Sequence, residues 1–485
     1  MNASTVNMTN SFQKPVVIIG GGPAGLGAAL MLARRGWRDI QVIEKRPAAD
    51  YYEPDKSFSY QIDGRGQKLT DLLNLTGQLA EVSVPNTEFY LTLIQSNGTR
   101  KTRKLPIADP NRKTAYWLPR PSLMRLLYKE IQEHWQKEIQ VLFQTKCFEI
   151  KPNGNQVTVT TQSQDGETKT FQPKLMIGCD GLNSIVRQTL HQIEKDSSHF
   201  AMQKLPSPSS GLKYKVLNFP SPFPLSEAEG DIAKPEIAYA FRSKFKDRKK
   251  AISLGLLPFK EANPQRTANI ITYPDHYIWQ LERPEEVEAF LKESFPQLPL
   301  DNIVSFEEIK RFTESEGGQF PTPQYCSGLY KILGEPELGT AILLLGDAVH
   351  CFPPDIGQGV NSALEDIYLF HEILEATNDN LSQALPRYQT QREPDVKALT
   401  RLVQMSYPWQ YNQDPFRKRL WSINFFIRFL LNRLFPFLFN PHSFLLIQDH
   451  ELSYSEILAK SNRTTGLLFS LGGVIILIAI LTLFR

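Results

Sequence analysis

The stretch VVIIGGGPAGLGAALMLARRGWRDIQVIEKR, Val16 to Arg46, decides the fold. A short apolar run stops at three glycines. Ala24 to Arg35 then carries helix formers with an apolar face, and IQVIE reads as a second strand. Strand, tight turn, helix and strand within about 30 residues make the βαβ unit of a parallel sheet. Gly20, Gly22 and Gly25 spell GxGxxG, and Glu44 follows 24 residues after Gly20 at the end of the second strand. That context gives a common pattern its meaning. Gly20 permits the turn, and Gly22 lets a pyrophosphate approach the N–H groups at the positive helix end. Gly25 allows close helix–strand packing, and Glu44 can accept hydrogen bonds from an adenosine ribose.

Two later stretches answer to the first. LMIGCDGLNSIVR, Leu175 to Arg187, is a strand ending at Asp180-Gly181, with Ser184 and Arg187 spaced behind it. Taken alone it reads equally as an Asp-Gly turn with a helix cap. LLLGDAVHCFPPDIGQGVNSALED, Leu343 to Asp366, runs from a buried strand through Asp347 and a Pro/Gly-rich turn into a helix. Asp347 can bond the sugar-like chain of a dinucleotide. Gly357 and Gly359 clear space for a flat ring, and the helix beginning near Val360 points its N-terminal N–H groups at it. A reduced flavin carries negative charge there, which a helix N-terminus stabilises, so the ligand read from these residues is FAD. His350 in this stretch reads either as a proton relay or as a packed core histidine.

Bulk properties set the limits. A chain of 485 residues calls for two packed lobes. A formal charge of +3 does not suggest nucleic acid as a partner. The four cysteines show no CxxC or metal-ligand spacing, which fits a reduced, cytosol-facing domain without a metal. The first 14 residues are polar and lack a secretory h-region. Ser122 to Gln136 is expected as a helix, and Val141 to Phe148, Val157 to Thr161 and Leu175 to Gly178 as strands. From about 195 to 330, β-rich runs such as KYKVLNF and AISLGLLPF alternate with Pro-rich turns. The texture reads as an inserted sheet-based domain.

The three motifs, in this order, resemble the single-component (class A) FAD-dependent aromatic hydroxylases. SFSYQIDGRGQKL near the start, LPRPSLMRLL at 118 to 127 and LSYSEILAK near the end make the chain most similar to the kynurenine 3-monooxygenases. The resemblance implies a glutathione-reductase-like, Rossmann-like α/β FAD-binding domain. Its first part would span 1–195, with inserted β segments, and its second part 331–395. A β-rich substrate domain would span 196–330, and a C-terminal helical region 396–463. It also implies that Glu44, Arg46, Gln61, Arg120, Asp347, Val360 and Asn361 contact FAD. NADPH or NADH would be the transient reductant, with O2 and a small molecule as substrates. The expected chemistry is monooxygenation by a flavin hydroperoxide, with no catalytic side chain required. Epoxidation in a membrane-bound enzyme and a non-catalytic, membrane-tethered flavoprotein are the alternatives.

Family enzymes hold the substrate carboxylate with an arginine and a tyrosine, and use an asparagine and a second tyrosine nearby. Those positions here align with Phe89, Ile107, Ser406 and Phe444, and a Phe-Phe pair before the GQG turn aligns with Asp355-Ile356. A buried carboxylate without its cation would cost several kcal/mol. The expectation is therefore a less charged, more apolar substrate than kynurenine. Tyr407 reads as a replacement substrate contact or as a core tyrosine.

The C-terminus ends in GLLFSLGGVIILIAILTLF, Gly466 to Phe484, without a charge. As a helix it reaches roughly 28 Å, about a bilayer's hydrocarbon thickness. Residues 464–485 are expected as a single-pass anchor with membrane lipid as partner. Lys460 and Arg463 would keep the preceding domain cytoplasmic. Phe416 to Asn440 mixes arginines with Phe, Trp and Leu, and reads as an interfacial segment, a packed amphipathic helix, or both.

Overall fold

The computed structural model describes residues 15–53, 59–104, 112–194, 198–260, 265–411 and 413–483, with side chains described to residue 473. Its first layer is a six-stranded sheet. In spatial order the strands are Tyr330–Ile332, Ala341–Leu344, Leu175–Gly178, Val16–Ile19, Ile40–Ile43 and Ile139–Leu142. Five run parallel, and Tyr330–Ile332 joins the edge antiparallel. Val16 lies opposite both Leu175 and Ile40, so the strands that end in the three motifs are neighbours in register. VVII, LMIG and AILL are buried throughout, as strands covered on both faces must be. The helices Pro23–Arg34 and Gly359–Ala376 pack together against this sheet and share its core.

The second layer is a seven-stranded sheet with its own core. Its order is Gly318–Gln319, Lys213–Pro220, Gln265–Thr272, Ser253–Leu256, Ala238–Arg242, Tyr90–Ile94 and Arg100–Lys104. Leu217, Phe219, Phe241, Leu254 and Ile270 pack against Phe290, Phe295 and Phe312 from the helical region behind it. The last two strands come from before residue 105 and add to the sheet through a parallel pairing of Tyr90–Ile94 with Ala238–Arg242. A small antiparallel sheet, ordered Ser59–Ile62, Ala115–Pro119, Val84–Asn86, carries Gln61 and leads into the helix that starts at Arg120.

The structure divides the expected strand Val141 to Phe148 in two. Ile139–Leu142 closes the six-stranded sheet, and Thr145–Asn153 begins an antiparallel ladder. Gln144 between them has φ 51°, a left-handed turn that no strand pattern could absorb.

Three helices follow the core. Leu381–Ser406 contains Pro386 and Pro394, Pro415–Leu434 is rich in aromatics, and Tyr454–Leu483 runs into the apolar tail. Tyr454 and Ile457 bury themselves against Leu399 and Leu402. The expected single-pass anchor at 464–485 is not supported. Among the described residues no helix is long and apolar enough to cross a membrane. The described turns of the last helix begin with Glu456, Lys460 and Arg463, and residues 474–485 lie outside the described side chains.

Candidate functional site

The glycine turn is built by collisions that only glycine avoids. Gly20 has φ 102°, and a Cβ there would strike the carbonyl oxygen of Cys179 on the neighbouring strand. A Cβ on Gly25 would strike the carbonyl of Gly20, so the helix sits directly on the turn. Gly22 is the opposite case. It is the N-cap of Pro23–Arg34, and a Cβ there would meet nothing within 4 Å. The helix therefore opens onto free space at the residue expected to face a pyrophosphate. Glu44 is buried beside it. Its Oε2 accepts from the Gly21 N–H at 2.8 Å, and its Oε1 accepts from the Arg46 N–H at 2.8 Å. Glu44 thus ties the second strand's end to the turn, with lone pairs remaining for a ribose.

Gln61, Gly357 and Asn361 meet through one side chain. Asn361 Nδ2 donates to the Gln61 carbonyl at 2.8 Å and to the Gly357 carbonyl at 3.1 Å, while its Oδ1 accepts from the Asp63 N–H at 3.1 Å. Gly357 is left-handed at φ 64°, and neither it nor Gly359 has an atom within 4 Å of an added Cβ. Gly359 opens the helix Gly359–Ala376, and Val360 behind it is half-buried. This turn is a second helix N-terminus facing open space.

Tyr60 joins the two halves. Burial raises its hydroxyl, Arg120 opposes that through charge and a hydrogen bond, Asp347 raises it and Arg46 lowers it. Four residues from distant parts of the chain therefore share one space. Arg46 also holds Glu53 at 2.5 Å, and Arg120 is the first residue of its helix. Asp347 has exposed surface, yet burial raises its carboxyl above the usual range, with His350 opposing and Asp366 adding. Both hold for a group on the wall of a deep concavity. Asp180 accepts from the Ile185 N–H at 2.6 Å through Oδ2, while its buried Oδ1 has no partner. Behind it, Arg187 donates to the Ala348 carbonyl at 2.7 Å and to the Leu182 carbonyl at 2.6 Å, clamping the second motif to the third. Two open helix ends, cations, acids and an orphaned carboxylate oxygen on one rim fit a dinucleotide with a flat, charge-accumulating ring.

The expected pocket residues divide into two places. Phe89 is half-buried and stacks obliquely on Trp117, centroids 5.9 Å apart, beside the unpartnered Trp117 Nε1. A cavity of about 150 Å³ lined by Val84, Tyr90, Trp117 and Glu236 lies there. That is below the few hundred Å³ of a typical ligand site. Ser406 is fully buried and donates to Ser443 Oγ at 3.0 Å. Phe444 packs on Tyr407 at 5.3 Å, and Tyr407 on Trp421 at 4.7 Å. Burial raises the Tyr407 hydroxyl, and Arg242 on the second sheet lowers it. Phe89 makes no ring contact with Phe444 among the described residues, and Ile107 lies outside them.

Several buried polar residues carry little signal in their local sequence. Arg392 donates to Asp366 at 2.7 Å, to Glu365 at 3.0 Å and to the Ser362 carbonyl at 3.0 Å. Arg65 reaches Glu365 at 3.2 Å and lies over the Tyr454 ring at 4.3 Å. Asp366 also accepts from the Gly346 N–H at 2.8 Å and pairs with His350 Nε2 at 2.9 Å. Burial pushes its carboxyl up, but Arg392 and His350 outweigh that and hold it below the usual range. His350, fully buried, thus ties the Asp347 loop to the helix behind it. Tyr454 donates to Gln358 at 2.8 Å, and Gln358 donates to Asp63 at 2.8 Å. Adjacent acids in an apolar helix were the one available clue, since a buried charge needs a partner.

These features have counterparts among known proteins. Residues 13–209 and 339–403 match the family model described as FAD binding domain. Kynurenine 3-monooxygenase of Dictyostelium discoideum is 25% identical over 409 residues, covering 80% of this chain and 79% of its own. Violacein synthase of Chromobacterium violaceum is 25% identical over 407 residues, covering 81% and 85%. In structure, 2-methyl-3-hydroxypyridine-5-carboxylic acid oxygenase superposes with a TM-score of 0.56 at 17% identity, covering 83% of this chain and 92% of its own. The segment between the two matched stretches contributes most of the second sheet, and the match resumes just before Ala341–Leu344 returns to the first. The chain belongs to the FAD binding domain family, and FAD is its cofactor.

Proposed function

We propose that the protein is an FAD-dependent monooxygenase that takes NADPH or NADH and O2 and places one oxygen atom on a small aromatic or apolar substrate other than kynurenine. The observation that carries it is that Arg46, Arg120 and Asp347 all act on Tyr60, together with two helix ends open at Gly22 and Gly359. Bound FAD supplies the redox chemistry, accepting hydride from the nicotinamide and activating oxygen. The chain supplies the rest. N–H groups beyond Gly22 hold phosphates, and Arg46 and Arg120 offset their charge. The N-terminus of Gly359–Ala376 favours negative charge on the ring. The clamp between Arg187 and Ala348 and the salt-bridged helix behind it keep this wall rigid and dry.

Substrate choice rests on the altered positions. Phe89, Ser406 and Phe444 replace groups that bind an amino acid in the resembled enzymes. The test is oxygen uptake coupled to NAD(P)H oxidation, with the purified protein offered kynurenine and a panel of aromatic and isoprenoid compounds. Stimulation by aromatic or apolar compounds and not by kynurenine is expected. Efficient coupled turnover of kynurenine would overturn the substrate assignment, and no stimulation by any compound would leave a non-catalytic flavoprotein.

A specific observation favours a second property, peripheral attachment to a lipid surface. Phe416, Leu420, Ile423, Phe426, Ile427, Leu430, Leu434 and Phe437 are all exposed, Phe437 by 74%. Arg417, Lys418, Arg419 and Arg433 are interleaved with them. Phe469 on the last helix is exposed by 78%. An apolar face of this extent with flanking cations suits the interface of an anionic bilayer. Cosedimentation with phosphatidylserine-containing vesicles, reduced by added salt, is the expected result. Equal recovery in the supernatant with and without vesicles would refute it.

A further inference from the structure

The last helix is tied to the loop that feeds the ring-facing helix, and the tie is one hydroxyl. The chain from Asp449 to Leu452 lies against the turn that opens the helix Gly64–Leu72. Arg65 Nη2 donates to the carbonyls of Asp449 at 2.7 Å and Leu452 at 2.5 Å. A Cβ on Gly64 would strike the imidazole of His450, so this turn is shaped to receive the segment. Tyr454, the first residue of the last helix, is fully buried, and its hydroxyl donates to Gln358 Oε1 at 2.8 Å. Burial raises that hydroxyl well above its ordinary value, against the pull of Arg65, so it keeps its proton and stays a donor.

Gln358 is the residue on which this contact acts. It is 4% exposed and forms the N-cap of Gly359–Ala376, directly before the glycine that opens that helix. A polar N-cap side chain ordinarily accepts from the second or third N–H of its own helix. Gln358 makes no such bond. Its Nε2 donates instead to Asp63 Oδ2 at 2.8 Å, while Asp63 Oδ1 accepts from the Arg65 N–H at 2.9 Å. With Asp63 accepting on one side and Tyr454 donating on the other, the amide has one orientation and both of its ends are taken. The first turn of the helix carries no acid either. Its N–H groups therefore stay uncapped by any side chain, at the place where Gly357 and Gly359 leave room for a ligand.

We propose that Tyr454 is a positioning residue for the cofactor: by holding the Gln358 amide against Asp63, it keeps this helix end uncapped, so that the N–H groups serve the reduced flavin and not their own N-cap. The proposal rests on FAD as cofactor and on the ring-facing reading of Gly359–Ala376, and is independent of the choice of substrate. Reduction brings two electrons and one proton to the ring and leaves one negative charge. A free helix end favours that charge, and a capped one favours it less. Without the Tyr454 hydroxyl, Gln358 Oε1 loses its buried donor, and the N–H groups of its own first turn become its partners. Tyr454 thus acts through Gln358, 96 residues earlier in the chain.

The test measures the midpoint potential of the full chain loaded with FAD, by reductive titration against a reference dye with the visible flavin spectrum as readout. Tyr454→Phe keeps the ring over Arg65 and removes only the hydroxyl. It is expected to lose about tenfold of the preference for reduced over oxidised flavin, a fall of about 30 mV for a two-electron couple. Gln358→Asn leaves Tyr454 intact but puts one of the best capping side chains at the N-cap, and is expected to fall as far. Ile457→Ala loosens the same helix at Leu399 and Leu402 without touching Gln358. It is expected to lower the unfolding temperature while the flavin preference changes less than threefold. A loss below threefold in Tyr454→Phe or in Gln358→Asn, or as large a loss in Ile457→Ala, would overturn the proposal. Where Tyr454→Phe yields no folded protein, Gln358→Asn decides. A wild-type protein that takes up no FAD would instead be the failure of the cofactor reading, and would take the proposal with it.

Discussion

The glycine turn of the first βαβ unit and the helical junction around Ser406 are built on opposite principles. At the glycine turn most needs are met by residues of the unit itself. Gly25 clears a collision with Gly20 inside the turn, Gly20 clears the Cys179 carbonyl on the neighbouring strand, and Glu44 binds back to Gly21 across one βαβ unit. At the junction, Asp355 depends on Gln410, Ser406 on Ser443, and Tyr407 on Phe444 and Trp421. A local motif can specify the first kind of site. The second exists only after several helices have packed, so its chemistry can drift while the cofactor site stays the same.

The salt-bridged helix behind the rim gives the sharpest test of that contrast. Arg392→Met removes the guanidinium that Glu365 and Asp366 share, leaving Arg65 on the first and His350 on the second, and should cost about 3 kcal/mol, the lower end for breaking a buried pair. Denaturant unfolding would measure it. A loss under about 1 kcal/mol would mean that the long-range network does not support the rim.

Asp355→Asn should act in the opposite sense, with an effect that grows between about pH 4 and pH 7. The folded carboxyl titrates near 7 against an ordinary 3.8, so the native state holds its proton more tightly than the unfolded chain. The stability this group contributes is complete below about pH 4 and lost as pH rises through 7. About three pKa units make the loss about 4 kcal/mol. The variant should therefore unfold at higher temperature than wild type at pH 8, and at a similar temperature at pH 4. Equal stabilities at pH 8 would contradict the buried, unpaired state of Asp355.

Asn361→Ala removes three hydrogen bonds that join the GQG turn to Gln61 and Asp63. A buried polar group left without its partner costs about 1–3 kcal/mol, and weaker FAD binding should accompany it. Retained FAD affinity would show that the turn holds its shape without that side chain. The smallest effect on stability belongs to the exposed aromatics. Phe426→Ser with Phe437→Ser should change unfolding by less than about 0.5 kcal/mol, as surface positions do. It should nevertheless reduce vesicle binding severalfold. Unchanged vesicle binding would remove the lipid reading.

How far the sequence could be read follows the same division. The first sheet was legible because VVII, IQVI, LMIG and AILL are short apolar runs whose turns carry Gly-Gly and Asp-Gly punctuation. The break at Gln144 was not, since a left-handed glutamine leaves no compositional mark. Gly22, Asp347 and Gly359 could be picked out because each sits at a strand or helix end. Arg392 could not, because Asp395 three residues on offers it a local partner, while the stronger pairing with Glu365 and Asp366 comes from another helix. Asp355 appeared in sequence only as a departure from an aromatic pair, and its environment became visible only with the residues packed around it. The pocket positions had the least local signal. Phe89 was aligned with an arginine in a strand whose register depends on the parallel pairing with Ala238–Arg242, a long-range event with no local signature.

The central claim is that loops near Gly22, Asp347 and Gly359 grip a single flavin dinucleotide. Titration of the apoprotein with FAD, followed by visible absorbance and by quenching of flavin fluorescence, tests it directly. The expected result is saturation at one FAD per chain in the wild type and at least tenfold weaker binding in Asp347→Ala and in Gly359→Val. Saturation at two sites, no uptake of FAD, or variants that bind as tightly as the wild type would contradict it.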